Sequence, residues 1–196
     1  MKYIFIILLL GLSFNIVNAQ NDAQSQKFIR EVIPGFIKDN ETKDVIYSDG
    51  LWDITDIKKK LDVDTLQSRI WRGTYGNDPN TKIILTQDER AYIKGELNKM
   101  AAFKWEPGLL DNSKMISQDT IESVFKNRSK GWPYFYNHYG SGLYGFMKPI
   151  FIRNNSVCLF YRDHSACDLC GSGELAVYVL KNGKWKKLIM LYGWIS

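Results

Sequence analysis

The spacing of hydrophobic positions along the chain changes near residue 145. Upstream, apolar residues recur mostly at helical intervals. Thr86-Gln87-Asp88-Glu89 has the form of a capping box, in which the Thr hydroxyl takes one free backbone N–H and Glu89 reaches back to another. Ile93, Leu97 and Met100 follow on one face, so the spacing predicts a helix over 87–102. Ser117 is placed to cap a second helix, with Asp119 in its first turn and Ile121, Val124 and Phe125 behind it. Phe28-Ile29, Val32-Ile33 and Phe36-Ile37 also recur every four residues. Pro34-Gly35 interrupts them and predicts a short or bent helix. Residues 43–48 and 66–72 read as short strands, and 104–116 as irregular.

From Pro149 onward the pattern is that of strands. Residues 149–153 face 156–162 across Asn154-Asn155, and 174–181 face 184–192 across Asn182-Gly183. Asn-Gly is the strongest short hairpin signal, because both central residues of a type I′ turn need positive φ. Two hairpins joined by a loop of about ten residues predict a four-stranded antiparallel meander. The expected fold is therefore α+β, a mostly helical N-terminal half packed on a C-terminal four-stranded antiparallel meander. No repeat, low-complexity tract or linker divides the chain. Residues 20–196 read as a single domain, with 20–145 as its mainly helical part and 146–196 as the meander.

Residues 1–19 are read apart from that domain. Lys2 supplies a positive start, Tyr3 to Leu12 is almost wholly apolar, and Val17 and Ala19 are the small residues a signal peptidase requires. The apolar stretch is about half the roughly 20 residues of a spanning helix. A signal peptide with cleavage before Gln20 is expected, hence a secreted or periplasmic product with no membrane span. The whole chain has 196 residues, 45% of them apolar and 24% charged, which excludes a disordered polymer. Its 3 cysteines are too few for a disulfide-dense miniprotein. The net charge of +5 is spread out. Lys58-Lys59-Lys60 sits among Asp53, Asp56, Asp62 and Asp64, and Lys184, Lys186 and Lys187 surround Trp185. Both read as solvated faces, so no nucleic-acid partner is expected.

Lys148-Pro149-Ile150-Phe151, Cys158-Leu159-Phe160-Tyr161, Cys167-Asp168-Leu169-Cys170-Gly171, Gly183-Lys184-Trp185-Lys186 and the closing Trp194-Ile195-Ser196 form a pattern. Over residues 86–196 it resembles a family of uncharacterised secreted proteins from Bacteroidota. The resemblance implies export and one domain, and supplies no catalytic residues.

Cys167-x-x-Cys170 is followed by Gly171-Ser172-Gly173 and a strand rather than by a helix, so the element that activates a redox thiol is missing. A disulfide between Cys167 and Cys170 is expected in an exported loop, with Cys158, opposite Phe151 in the sheet, left free and buried. Cys158, His164, Cys167 and Cys170 contain the residue types of a zinc site. Cys158 lies mid-strand, however, and no metal or cofactor is expected. His138 and His164 are the only imidazoles. Asp163 and His164 point to opposite faces of a strand, and Cys158 and His164 lie roughly 20 Å apart along it. Gly171-x-Gly173 alone is a weak phosphate signal, placed between strands. No catalytic residue is assigned.

Trp132, Tyr134, Phe135, Tyr136, Tyr139, Tyr144 and Phe146 crowd the segment before the meander. Most are expected in the core, with Tyr136, Tyr139 and Tyr144 left outside as ligand-binding aromatics. The reading is an exported, non-catalytic binding module for a glycan, a peptide or an envelope protein. A secreted hydrolase with carboxylate catalysis is the alternative, and a redox or metal protein centred on the Cys-x-x-Cys loop is the third.

Overall fold

A computed structural model describes residues 23–37, 45–51, 53–68, 80–127 and 129–196. The signal peptide expected over residues 1–19 lies outside the described residues, as do positions 43–44 and 69–72 of the two expected upstream strands. The chain divides into two compact units, residues 1–38 and 39–196. In the first unit, helix α1 (residues 23–32) ends just before Pro34, whose ring and missing N–H cannot continue it.

The second unit is built on a seven-stranded sheet. Its elements are β1 (Val45–Ser48), α2 (Thr55–Leu61), β2 (Thr65–Gln67), β3 (Lys82–Ile84), α3 (Gln87–Lys99), β4 (Ser113–Ile116), α4 (Gln118–Phe125), α5 (Gly131–His138), β5 (Leu143–Phe146), β6 (Ile150–Ile152), β7 (Val157–Ser165), β8 (Gly171–Lys181) and β9 (Lys184–Ile195). Strands run β4-β1-β5-β7-β8-β9, and β6 pairs with the same edge of β7 as β5. A separate hairpin joins β2 to β3.

This corrects the expected architecture. The meander β6–β9 is present, but it is one side of a larger mixed sheet. β1 runs parallel to both β4 and β5, so the upstream half supplies strands as well as helices. Ser113–Ile116, expected to be irregular, is one of them. The loop between the two hairpins is also shorter than expected. Pairing of β7 with β8 continues to Ser165 opposite Gly171, leaving only 166–170 as connection.

Local chemistry was more legible. Thr86 and Glu89 form the reciprocal cap, and α3 runs to Lys99 with a 3-10 turn over Met100–Ala102. The Ser117 hydroxyl accepts the Thr120 N–H at the start of α4. Asn182 and Gly183 have φ of 53° and 75°, as the type I′ turn between β8 and β9 requires.

Two helical layers cover one face of the sheet. Facing residues of paired strands share a side, so Val157, Leu159 and Tyr161 of β7 lie with Leu175 and Val177 of β8. These pack with Ile57 and Leu61 of α2 and Ile93 and Leu97 of α3. Further along, Ile46 of β1 and Ile116 of β4 join Ile121 and Val124 of α4 and Phe135 of α5, with Leu143 of β5 against them. Between the two layers the same face is left open.

Candidate functional site

That opening is a cleft of about 420 Å³. Ser48, Leu143, Gly145, Asp163 and Ser165 line it from the sheet, Phe125 and Trp132 from α4 and α5, and Trp194 from β9. Cys167 and Asp168 lie at its rim on the β7–β8 connection. The volume is within the usual range for a small-molecule site.

Glycines create the space. Gly171 and Gly173 alternate along β8 on the cleft side, and the Trp194 indole lies over them. A Cβ at Gly173 would meet the Tyr161 hydroxyl at 2.8 Å and collide with the indole nitrogen. At Gly171 it would come within 2.9 Å of the indole ring. Gly145 of β5 likewise lets Asp163 lie against its backbone, since a Cβ there would sit 2.5 Å from the carboxylate. Glycine inside a strand commonly marks such a close approach.

The result is a polar chain set among rings. Trp194 Nε1 donates to the Tyr161 hydroxyl at 3.0 Å. Tyr161 and the Gly145 N–H in turn hydrogen-bond the Asp163 carboxylate. Burial pushes the Asp163 carboxyl up to about 6, against the two hydrogen bonds, which act to lower it. Burial, with the neighbouring Asp163 charge, also raises the Tyr161 hydroxyl well above its ordinary value, so it stays neutral as a donor.

The rim is fixed by the expected crosslink. Cys167 and Cys170 form a disulfide with Cα atoms 4.8 Å apart, and the Ala166 N–H donates to the Cys170 carbonyl at 2.8 Å. Tyr136 of α5 donates its hydroxyl to the Ala166 carbonyl, tying the loop to the helix that carries Trp132. Trp132 stacks on Tyr136 with ring centroids 5.7 Å apart.

The three tyrosines expected outside do not form one patch. Tyr136 is exposed and occupied with the loop. Tyr139 is half-buried against the α4–α5 core, with the Lys114 ammonium 5.5 Å from its ring. Tyr144 is only 4% exposed, which corrects its expected position. Its ring stacks on His164 with centroids 4.3 Å apart, because β5 and β7 pair the two residues, and Tyr144 is nevertheless among the residues that line the cleft. His138 lies on the exposed end of α5, with Nδ1 2.8 Å from the Tyr134 carbonyl. Neither histidine lines the cleft. Cys158 is free, fully buried and opposite Phe151, as expected.

The sequence reading passed over Asp163, Tyr161 and Trp194 as a unit. In sequence Asp163 stands out only as the neighbour of His164, and Gly171-x-Gly173, expected between strands, belongs to β8. The usable signal was the alternation of those glycines within a strand pattern, followed by a tryptophan on the next strand. No protein-family model matches the chain, and neither a curated protein nor a solved structure matches it.

Proposed function

We propose that the chain is a non-catalytic binding protein whose ligand site is the cleft around Asp163. The observation that carries this reading is a partly buried carboxylate, held by Tyr161 and Gly145, at the base of an opening walled by Phe125, Trp132 and Trp194. Rigid rings with one oriented polar group are the usual composition of a small-molecule site. Catalysis by an imidazole base has no support at this site, because both histidines lie elsewhere. The hydrolase reading draws on one specific feature, the presence of Asp168 as a second carboxylate at the same cleft. It needs Asp163 to act as a proton donor to a bound substrate.

The setting is proposed to be secreted or periplasmic. Support comes from the leader pattern of residues 1–19 and from the Cys167–Cys170 disulfide, which persists in an oxidising compartment. The likeness to secreted Bacteroidota proteins is part of the same proposal. Among the described residues no helix is long and apolar enough to cross a membrane.

An NMR titration of the purified protein with choline, N-acetylglucosamine and glycyl-phenylalanine tests the site. At least one probe should shift the Gly145 and Ser165 amides and the Trp194 indole N–H. Ser165→Trp, which fills the cleft, should abolish those shifts while leaving the circular dichroism spectrum unchanged. Shifts confined to other surfaces would refute the assignment. Turnover of chromogenic glycosides or esters that disappears in Asp163→Asn would favour the hydrolase.

A further inference from the structure

We infer that the cleft takes an organic cation, a quaternary or methylated ammonium group seated against the rings with its charge toward Asp163. The inference rests on the proposed binding site and names its ligand class. The first argument is the company other buried acids keep. Glu174, at 9% exposure, accepts from Lys187 at 2.8 Å and from Arg162 at 3.4 Å. Asp49, at 5%, accepts from Lys104 at 3.1 Å. Even the more exposed Glu89 accepts from Arg153, at 3.0 Å. Among the described residues Asp163 has only neutral donors, Tyr161 and the Gly145 amide. A desolvated carboxylate without a counter-charge is costly, and a fold of this composition had cations to spare for it, with 26 basic residues against 21 acids.

The second argument is the charge of the lining. Among the described residues the cleft presents two side-chain carboxylates, Asp163 and Asp168, and no lysine, arginine or histidine. A basic chain that keeps its basic residues out of this cleft leaves a pocket of opposite sign. The third argument is the walls. Phe125, Trp132 and Trp194 offer ring surfaces, and a weakly hydrated ammonium is attracted to such faces while its methyl groups bury apolar area. An anionic ligand would meet repulsion from both acids. A neutral sugar would leave the Asp163 charge uncompensated.

The same arrangement makes binding depend on pH. The groups against Asp163 are the Tyr161 hydroxyl from its own strand and the Gly145 N–H from β5, and Asp168 is the other acidic side chain lining the cleft. Trp194 from β9 touches Tyr161, and Phe125 and Trp132 from the helices carry no charge. Burial raises the Asp163 carboxyl to about 6, so a cation meets the ionised form above that pH and must displace a proton below it.

Choline and its neutral isostere 3,3-dimethylbutan-1-ol separate charge from shape. Choline, followed by Trp194 indole shift or by calorimetry, should bind the purified protein at least about tenfold more tightly than the isostere at pH 7.5. Its affinity should fall about tenfold between pH 7.5 and pH 5. Asp163→Asn should remove both the preference and the pH dependence, and Trp132→Leu should weaken choline without altering its pH profile. Equal binding of the two probes, or full choline affinity in Asp163→Asn, would overturn the ligand class while leaving the cleft as a binding site. Occupation of the cleft by N-acetylglucosamine with choline silent would do the same. A cleft that no probe shifts overturns both proposals.

Discussion

One strand face carries two different surfaces. At one end of β7, Val157, Leu159 and Tyr161 lie under α2 and α3 in a continuous aliphatic core. At the other end, Asp163 and Ser165 continue the same alternation but face the cleft. The partner strands explain the change. Opposite Leu159 and Tyr161 stand Val177 and Leu175, whereas opposite Asp163 and Ser165 stand Gly173 and Gly171. Side chains fill the first end, and the missing side chains of the second admit an indole and leave room beside it. The same strand therefore serves stability at one end and recognition at the other.

The largest effect should come from the filled end. Leu159 is fully buried, so Leu159→Ala should lose about 2–5 kcal/mol in urea denaturation. A loss below about 1 kcal/mol would show that this core is not close-packed. At the open end Gly173→Val forces the Trp194 indole off its shelf and should cost about 1–3 kcal/mol, with a red-shifted tryptophan emission. An unshifted spectrum would mean that Trp194 rests on something else.

The smallest expected effect has the opposite sign. The Asp163 carboxyl titrates near 6 in the fold against an ordinary value of 3.8, so the folded state holds its proton more tightly than the unfolded chain. The contribution of that proton to stability is present below about pH 4 and is lost as pH rises through about 6. Asp163→Asn, neutral at every pH, should therefore stabilise the protein by about 1–2 kcal/mol at pH 8. The gain should vanish near pH 4, which thermal unfolding at the two pH values would show. A residue whose removal stabilises the fold while abolishing binding belongs to a site rather than to the core. Destabilisation at pH 8 would mark Asp163 as structural.

The filled end was largely legible in the sequence and the open end was not. Capping at Thr86 and Ser117, the Asn182-Gly183 turn and the alternation from Ile150 onward are local signals, each contained within a few residues. The parallel strands β1 and β4 pair residues 45–48 with 113–116, and no turn chemistry records such a distant match. Residues 43–48 read as a short strand without a partner, and the four residues of β4 are too few to stand out from the irregular pattern over 104–116. The cleft depends on those strands, because they carry the α4–α5 layer that forms its second wall. Asp163 was visible as a residue but not as a site, since its meaning comes from glycines on two neighbouring strands and an indole on a third.

Cys158 has a further use. It is the free thiol of a chain with 3 cysteines, the other two being joined to each other, and it is fully enclosed at the centre of the sheet. Burial pushes its ionisation well above the ordinary thiol range, so the thiolate that alkylating reagents require is scarce while β7 stays paired with β6 and β8. A reagent reaches it only when the packing over that face of the sheet opens. Its labelling rate thus reports how often that packing opens, and a ligand in the cleft, on the opposite face of the same strand, should slow the labelling to the extent that the opening is global unfolding.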